Sequence, residues 1–282
     1  MDKKEICIII PIYKIELNSF EIQSVNQCIK ILSDYSIHFA CPNGLNIDFY
    51  KENFLKIENF TFFDKDYFKD IAGYNRLMLS VGFYRTFNKY KYMLIHQTDC
   101  YVFRDELLDW SERGYDYIGG IWFEDFIGNP YKDAKVWYAG NGGFSLRKTK
   151  SMIRLLSSKK PLKSFKQLVT EKKQLYKTGK IKFFKEFFLL PLNLFGYKNN
   201  YNYHSKKYNL NEDFYFIEAY SKYNDLKVPK VDKTLSFSWD RCPAFLYEKL
   251  EYLPFGCHAW FREDFPYEGN KEFWLKHITE KI

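Results

Sequence analysis

Short apolar runs and stretches with helical spacing alternate along the first hundred residues. Four apolar runs end in polar or turn residues, at 6–10, 36–41, 60–63 and 93–97. Each predicts a buried strand, and the segments 20–32 and 71–87 between them have the apolar spacing of helices. Strands that alternate with helices predict an α/β fold with a mainly parallel sheet and helices on both of its faces.

The fourth predicted strand leads into the most informative segment of the chain. The apolar run from Tyr92 to Ile95 breaks into polar residues that end in Asp99, and the chain turns apolar again at 101–103. Ligands of open α/β sheets bind at the carboxyl ends of strands, so Asp99 lies where chemistry is expected. A lone acid after an apolar run is more often an N-cap or turn residue, and the residues downstream must decide.

The rest of the chain has a less regular pattern. It predicts helices at 106–113, 149–156 and 214–223, strands at 115–119 and 138–147, and aromatic or glycine-containing loops at 122–137 and 253–260. Segment 244–250 fits either a helix or a strand. Because neither repeats nor a linker interrupt the pattern, we expect one domain over residues 1–282.

Composition narrows the class of protein. Aromatic residues make up 21% of the chain, enough to line a groove for a flat or sugar-like ligand as well as the core. The six cysteines are scattered without a CxxC pair, as expected for reduced thiols in the cytoplasm. The N-terminus has no signal-peptide pattern, and no apolar run approaches the roughly 18–20 residues that span a bilayer. We therefore expect a cytoplasmic protein.

The net charge of +8 comes from one segment, which we call the basic insert (about 157–208). Between residues 159 and 207 there are 13 lysines against Glu171 and Glu186, a net charge of +11, so the remainder carries −3. A helix over 180–190 would place Phe183, Phe184, Phe187 and Phe188 on one face. Such a helix suits peripheral contact with the anionic inner face of a membrane. Alternatively, the aromatic residues pack on the domain while the lysines are solvated. Nucleic-acid binding is not expected, because no known module accompanies the lysines.

Three further motifs are candidates for chemistry. Gly140-Asn-Gly-Gly143 lets the backbone approach a ligand closely, although a tight turn needs no ligand. Asn211-Glu-Asp213 places two carboxylates before an apolar helical run, as a general base or as helix caps. His258 is a candidate metal ligand, although a lone histidine in an aromatic loop is usually structural.

The order of these motifs resembles the GT-A class of nucleotide-sugar glycosyltransferases. It is similar in particular to a bacterial glycosyltransferase-like family catalogued as a domain of unknown function. The stretches that carry the resemblance are 97–107, 114–119, 140–147, 211–213 and 253–260. The resemblance runs from about residue 5 to 275 without the basic insert. It implies a GT-A-like fold with a nucleotide-binding half (about 1–103) and an acceptor-binding and catalytic half (about 104–282).

The resemblance also implies roles for individual residues. Gln97-Thr-Asp99 occupies the place of the Asp-x-Asp motif, so Asp99, together with His258, would bind Mn²⁺ or Mg²⁺. Gln97 departs from that pattern, and one carboxylate fewer should weaken metal binding. The remaining donor contacts would come from the first-strand loop, the helix before the fourth strand and the glycine turn: Pro11, Ile12, Tyr13, Asn75, Arg76, Asn141, Gly142 and Gly143. Trp122 would border the acceptor.

The reaction implied is transfer of a sugar from a nucleotide sugar to a hydroxyl of a glycan or lipid-linked acceptor. Asp213, or as second choice Glu212, would deprotonate that hydroxyl, which implies inversion at the anomeric carbon. The expected setting is synthesis of bacterial surface polysaccharide or lipopolysaccharide. The alternative is a non-catalytic nucleotide-sugar or glycan-binding protein with the same fold, which Gln97 favours.

Overall fold

The protein is described by a computed structural model that covers residues 1–124, 135–176, 184, 186–264 and 267–279. Its centre is a six-stranded sheet in the order β3-β2-β1-β4-β7-β6. The strands are β1 (Ile6–Pro11), β2 (Ser36–Pro42), β3 (Asn59–Phe63), β4 (Tyr92–His96), β6 (Tyr117–Phe123) and β7 (Val136–Lys148). Strands β3, β2, β1 and β4 are parallel, and β7 is antiparallel to both β4 and β6.

Helices surround this sheet and follow several of its strands. They are α1 (Ser19–Ile31), α2 (Asp48–Asn53), α3 (Ile71–Met78), α4 (Val81–Thr86), α5 (Leu107–Glu112), α6 (Thr149–Ser157), α7 (Phe165–Tyr176), α8 (Leu190–Leu194), α9 (Tyr201–Ser205), α10 (Glu212–Ser221), α11 (Pro243–Leu250) and α12 (Asn270–Thr279). Short 3₁₀ turns lie at Lys3–Glu5, Lys65–Tyr67 and Val231–Lys233. Segment 244–250 is thus helical.

The two faces of the sheet bury separate cores. Alternate residues of a strand point to opposite faces, and β1 shows this directly. Ile6, Ile8 and Ile10 join a core with α1, α2 and α5, while Cys7 and Ile9 join one with α3, α4, α6 and α10. The predicted α/β class, with a mainly parallel sheet and helices on both faces, is confirmed.

One predicted helix is divided in the structure. The segment 71–87 forms α3 and α4, because α3 ends at Met78 with Leu79 as its C-cap, and the hydroxyl of Ser80 accepts a hydrogen bond from Phe83 N at 3.1 Å. A serine that caps the following turn competes with continuation of the preceding helix. The apolar periodicity of the two helices is nearly in phase, which is why the sequence reads as one.

A second, smaller sheet has no counterpart in the sequence-based prediction. It consists of β5 (Tyr101–Val102), β9 (Gly256–Cys257) and β8 (Ser238–Trp239), in the order β5-β9-β8. Its core contains Trp239, Trp260 and Trp274, all fully buried. Strands of two residues are too short to show an alternating pattern, so the segment 253–260 was predicted as a loop.

The described part of the basic insert consists of short helices joined by turns and irregular segments. It contains α7, α8 and α9, and Phe184 and residues 186–188 are also helical. Phe183 and much of the predicted helix at 180–190 lie outside the described residues. In the described part of the chain, no helix is both long and apolar enough to cross a membrane.

Candidate active site

A cleft of about 700 Å³ opens at the carboxyl ends of β1 and β4. This is where ligands of open α/β sheets bind. Most of the residues that the sequence singled out line it, namely Pro11, Tyr13, Asn75, Gln97, Asp99, Asn141, Gly142, Gly143, Glu212, Asp213 and His258. Residues more than 200 positions apart in the sequence thus share one cavity.

The small sheet positions one group of these side chains, which we call the histidine cluster (Asp99, Asp240 and His258). Asp99 precedes β5, Asp240 follows β8 and His258 follows β9. Tyr101 is paired with Cys257 and Trp239 with Cys257, so the three ends converge. Backbone hydrogen bonds fix the arrangement, from His258 N to Trp239 O at 2.9 Å and from Trp260 N to Asp99 O at 3.2 Å.

His258 is held between two carboxylates. Its Nδ1 lies 2.6 Å from Asp240 Oδ1, and its Nε2 lies 3.3 Å from Asp99 Oδ1. Burial opposes a charge on the ring, but Asp99 and Asp240 outweigh it and raise the pKa of His258 to about 10. Burial likewise opposes the charge of Asp99, and the neighbouring imidazole nevertheless holds the pKa of that carboxyl below its usual value. Asp99 therefore stays ionised at neutral pH.

Asp99 and His258 of the histidine cluster, together with the nearby Gln97, contain the atoms that would hold a divalent ion. Gln97 Oε1 lies 3.1 Å from His258 Nε2, so an amide oxygen, a carboxylate oxygen and an imidazole nitrogen face one another. Asp240 orients the other ring nitrogen, as carboxylates do behind metal-bound histidines. Within the described residues, no group of three His, Cys, Asp or Glu side chains is placed to hold a metal. The set fits a divalent ion when ligand oxygens complete the shell.

Two glycines of β7 connect the histidine cluster to the acidic pair of α10. A Cβ on Gly143 would lie 2.3 Å from His258 Nε2, and a Cβ on Gly142 would lie 2.5 Å from Glu212 Oε1. Both distances are shorter than any real contact, so only glycine permits this approach. The glycine motif thus brings two charged groups to adjacent positions along one strand.

Glu212 is neutralised by a buried arginine. Arg147 Nη2 donates to Glu212 Oε1 at 2.8 Å, and both side chains are buried. The guanidinium also donates to the Tyr84 hydroxyl at 2.9 Å and to Ser145 Oγ at 3.0 Å. The ion pair with Arg147 stabilises the charged form of Glu212. Glu212 is therefore less suited than Asp213 to accept a proton.

Among the described residues, no cation forms an ion pair with Asp213. Its carboxylate accepts hydrogen bonds from Gly142 N at 3.2 Å and Phe214 N at 2.8 Å. Burial and the charge of adjacent Glu212 nevertheless raise the pKa of Asp213 well above its usual range. Asn211 precedes the helix as its N-cap, so both acids lie in the first turn of α10. A carboxyl with a raised pKa in a cleft is typical of a general base.

Three residues predicted for the site do not line the cleft. Ile12 is buried in the core beneath β1. Arg76 is on the exposed side of α3 and donates to Asp66 O at 3.3 Å. Trp122 is buried and stacks on Phe214, with ring centroids 4.6 Å apart. The periodicity of a helix or strand, rather than the proximity of its end to the site, decides which side chains reach the cavity.

The positively charged residues that line the cleft are ones that the sequence analysis did not single out, and Arg76 is not among them. Lys14, Lys69 and Arg262 line the cleft. Lys14 Nζ lies 2.8 Å from buried Glu21, which also accepts a hydrogen bond from Thr98 Oγ1 at 2.9 Å. This pair connects the first-strand loop, where Tyr13 is exposed, to the turn that carries Gln97 and Asp99. Single lysines and arginines in loops give no sequence signal, so only the fold identifies them.

A family model described as a protein of unknown function (DUF5672) matches residues 57–258, more than two thirds of the chain. The chain belongs to this family. The part matched by DUF5672 includes Asn75, Asp99, Asp213 and His258, and it leaves out the first-strand loop with Tyr13. No curated protein matches the sequence significantly.

Several solved glycosyltransferases are similar in structure at low sequence identity. Mouse xyloside xylosyltransferase 1 has 11% identity and a TM-score of 0.46, over 89% of this chain and 96% of that one. A mannosyltransferase of S. cerevisiae in complex with GDP has 13% identity and a TM-score of 0.34, over 44% of this chain and 42% of that one. The core-mannan synthase A of Aspergillus fumigatus, in a Mn/GDP form, has 11% identity and a TM-score of 0.35, over 73% and 70%. These similarities concern the fold and assign no activity to the chain.

Proposed function

We propose that the protein is a glycosyltransferase that moves a sugar from a nucleotide-sugar donor to a hydroxyl of a glycan or lipid-linked acceptor. The observation that supports this most is the pairing of two unlike groups in one cleft. The histidine cluster keeps Asp99 ionised, while Asp213, next to it across Gly142 and Gly143, has a raised pKa. Two carboxyl groups whose pKa values are shifted in opposite directions are typical of a site with two chemical roles.

In this proposal the histidine cluster and the cations hold the leaving group. Negative charge develops on the diphosphate as the bond between the anomeric carbon and the phosphate oxygen breaks. His258, cationic between Asp99 and Asp240, lies at the cleft wall with Lys14, Lys69 and Arg262. These side chains would orient the diphosphate and stabilise its charge, and Tyr13 would lie against the nucleoside. If a divalent ion is bound by Asp99, Gln97 and the deprotonated form of His258, the ion would supply the positive charge that the imidazolium supplies without it.

Asp213 would act on the acceptor. Its carboxylate takes the proton of the acceptor hydroxyl, whose oxygen bonds to the anomeric carbon as the diphosphate leaves with the bonding electrons. One displacement of this kind inverts the configuration of the sugar. The raised pKa of Asp213 suits the step, because a base is most effective when its pKa is close to the working pH. Asn75 supports the helix start by accepting a hydrogen bond from Glu212 N at 3.2 Å.

A non-catalytic nucleotide-sugar or glycan-binding protein is the second candidate. The observation that favours it is Gln97, whose neutral amide oxygen faces His258 where the resemblance implies a carboxylate. Such a protein would need the cations and Tyr13 but not a carboxyl with a raised pKa, and Asp213 therefore favours the enzyme. The setting we propose is cytoplasmic synthesis of bacterial surface polysaccharide or lipopolysaccharide.

The test is a thermal-shift screen against nucleoside diphosphates and nucleotide sugars, with and without Mn²⁺, followed by a turnover assay. A ligand at 100 times its dissociation constant stabilises the folded protein by about 2.7 kcal/mol, which is readily measured. Stabilisation by one nucleotide family and release of its diphosphate from the sugar would support the transferase. Stabilisation without any turnover, with or without acceptor glycans, would favour the binding protein.

A further inference from the structure

Large exposed hydrophobic side chains are concentrated in the basic insert. Of the seventeen in the described residues, eight lie between 159 and 207: Phe165, Phe184, Phe187, Phe188, Leu192, Leu194, Phe195 and Tyr197. Single exposed hydrophobic residues are ordinary, but a cluster in so short a segment marks an interaction surface.

Four of these side chains form a stripe. Phe184, Phe188, Leu192 and Phe195 are separated by four, four and three residues, the spacing of one side of a helix. They are 55%, 79%, 51% and 87% exposed, respectively. We call this set the exposed stripe.

Phe184 and Phe188 lie in helical residues before the turn at Leu189, Leu192 lies in α8, and Phe195 is the C-cap of α8. The short helix α8 has a buried side. Leu190 and Asn193 of α8 are buried, at 7% and 3% exposure. A helix on the surface of a water-soluble domain has apolar residues toward the core and polar residues outward. On the outward side, Leu192 is 51% exposed and the C-cap Phe195 is 87% exposed, so burial against the domain does not account for these two side chains.

The backbone around the stripe is firmly attached to the start of the insert. Buried Asn199 donates to the carbonyls of Lys163 and Asn193, both at 3.0 Å, and its Oδ1 accepts from Lys163 N at 2.9 Å. Gly196 has a φ of +92°, and a Cβ there would lie 2.3 Å from Lys159 O. Leu192 and Phe195 are therefore presented by a defined backbone, and exposed Lys198 follows three residues after Phe195.

We propose that the exposed stripe docks on an anionic membrane surface. Its side chains enter the boundary between headgroups and acyl chains, and the lysines of the insert contact the anionic headgroups. Charge complementarity selects this partner: the insert carries +11 while the rest of the chain carries −3. Apolar insertion and a basic patch are each weak anchors, and together they give stable peripheral binding. The proposal goes beyond the transfer of sugar and does not depend on it.

The test is co-sedimentation with vesicles of phosphatidylcholine alone and of equal parts phosphatidylcholine and phosphatidylserine. We expect binding to the mixed vesicles, about tenfold or more above binding to the neutral ones, and weakening as salt increases. Phe188→Ser combined with Phe195→Ser should lower binding to the mixed vesicles by about tenfold or more. Leu55→Ser, which removes another highly exposed hydrophobic side chain outside the insert, is the matched control and should bind as the wild type does.

Equal binding to both vesicles, or an unchanged double variant, would overturn the proposal. So would absence of vesicle binding together with a dimer that the double variant dissociates in sedimentation velocity, since a second copy would then cover the stripe. Nucleotide-sugar turnover in solution is measured on the same proteins. The double variant should keep it, so failure of the membrane proposal is distinguishable from failure of the transferase.

Discussion

Two carboxyl groups of the cleft, the partly exposed Asp99 and the buried Asp213, have pKa values that are shifted in opposite directions. Asp99 is beside the imidazole of His258, which holds the pKa of the carboxyl below its usual value despite burial. Asp213 is buried beside the carboxylate of Glu212, and burial and that charge raise its pKa although Gly142 N and Phe214 N donate hydrogen bonds to it. Burial alone does not decide the charge of an acid; its nearest charged neighbour does.

The parts of the fold that hold Asp99 and Asp213 also differ. The histidine cluster is assembled from three two-residue strands whose backbone pairing brings distant residues together. The acidic pair is local, because Glu212 and Asp213 are neighbours in the first turn of α10, and Arg147 from β7 neutralises only one of them. The ion pair of buried Arg147 with Glu212 therefore gives the two adjacent acids different roles.

The largest expected effect comes from removing the proton acceptor. Asp213→Asn keeps the size of the side chain but cannot take a proton, so turnover of the nucleotide sugar should fall by about 10²- to 10⁴-fold. Glu212 cannot substitute, because it is already paired with Arg147. Steady-state turnover at saturating donor measures this. Activity within a few-fold of wild type would show that Asp213 is not the base.

Breaking the ion pair between Arg147 and Glu212 should lower the stability of the folded protein more than it lowers turnover. Arg147→Met leaves Glu212 buried without its cation, and we expect a loss of about 3–5 kcal/mol in the free energy of unfolding by urea. Arg154→Met is the matched control, because that arginine is largely exposed and its surface contacts contribute about 0–1 kcal/mol. If both variants unfold at similar urea concentrations, Arg147 does not hold the charge of Glu212.

The shifted pKa values of Asp213 and His258 should make the free energy of unfolding depend on pH, an effect smaller than the loss of the ion pair. Because the pKa of Asp213 is raised from 3.8, the folded protein keeps a proton that the unfolded chain loses as pH rises above that value. The folded state thus binds more protons there, and this group lowers stability as pH rises toward its folded pKa. His258 adds a loss of stability as pH rises from 6.5 to about 10.

Urea unfolding at pH 5 and pH 8 isolates the contribution of Asp213. Asp213→Asn should lose less stability than the wild type between the two pH values, since the contribution of Asp213 is removed and those of the histidines are shared. Replacement of exposed Asp109 by Asn should leave the wild-type difference unchanged. The same pH dependence in Asp213→Asn and wild type would contradict a raised pKa at Asp213.

The sequence predicted what depends on periodicity. The apolar runs of β1, β2, β3 and β4 and the carboxyl-end position of Asp99 follow from strand patterns, and the order of the motifs pointed to His258 and Asp213. Asp240 has no such signal, since it follows a two-residue strand that only tertiary pairing defines. Arg147 reads as the end of a strand, and its role depends on a glutamate 65 residues away. Side chains that act through long-range contacts are found only in the fold.

The most direct test of the difference between the two carboxyls is calorimetric binding of the nucleoside diphosphate selected by the screen. With Mn²⁺ present, Asp99→Asn should weaken binding by about tenfold or more, because it removes the carboxylate that would hold the ion against the diphosphate. Asp213→Asn should bind as the wild type does, since it acts only on the acceptor. Equal weakening in both variants, or weakening in Asp213→Asn alone, would contradict the assignment of the two acids to opposite ends of the reaction.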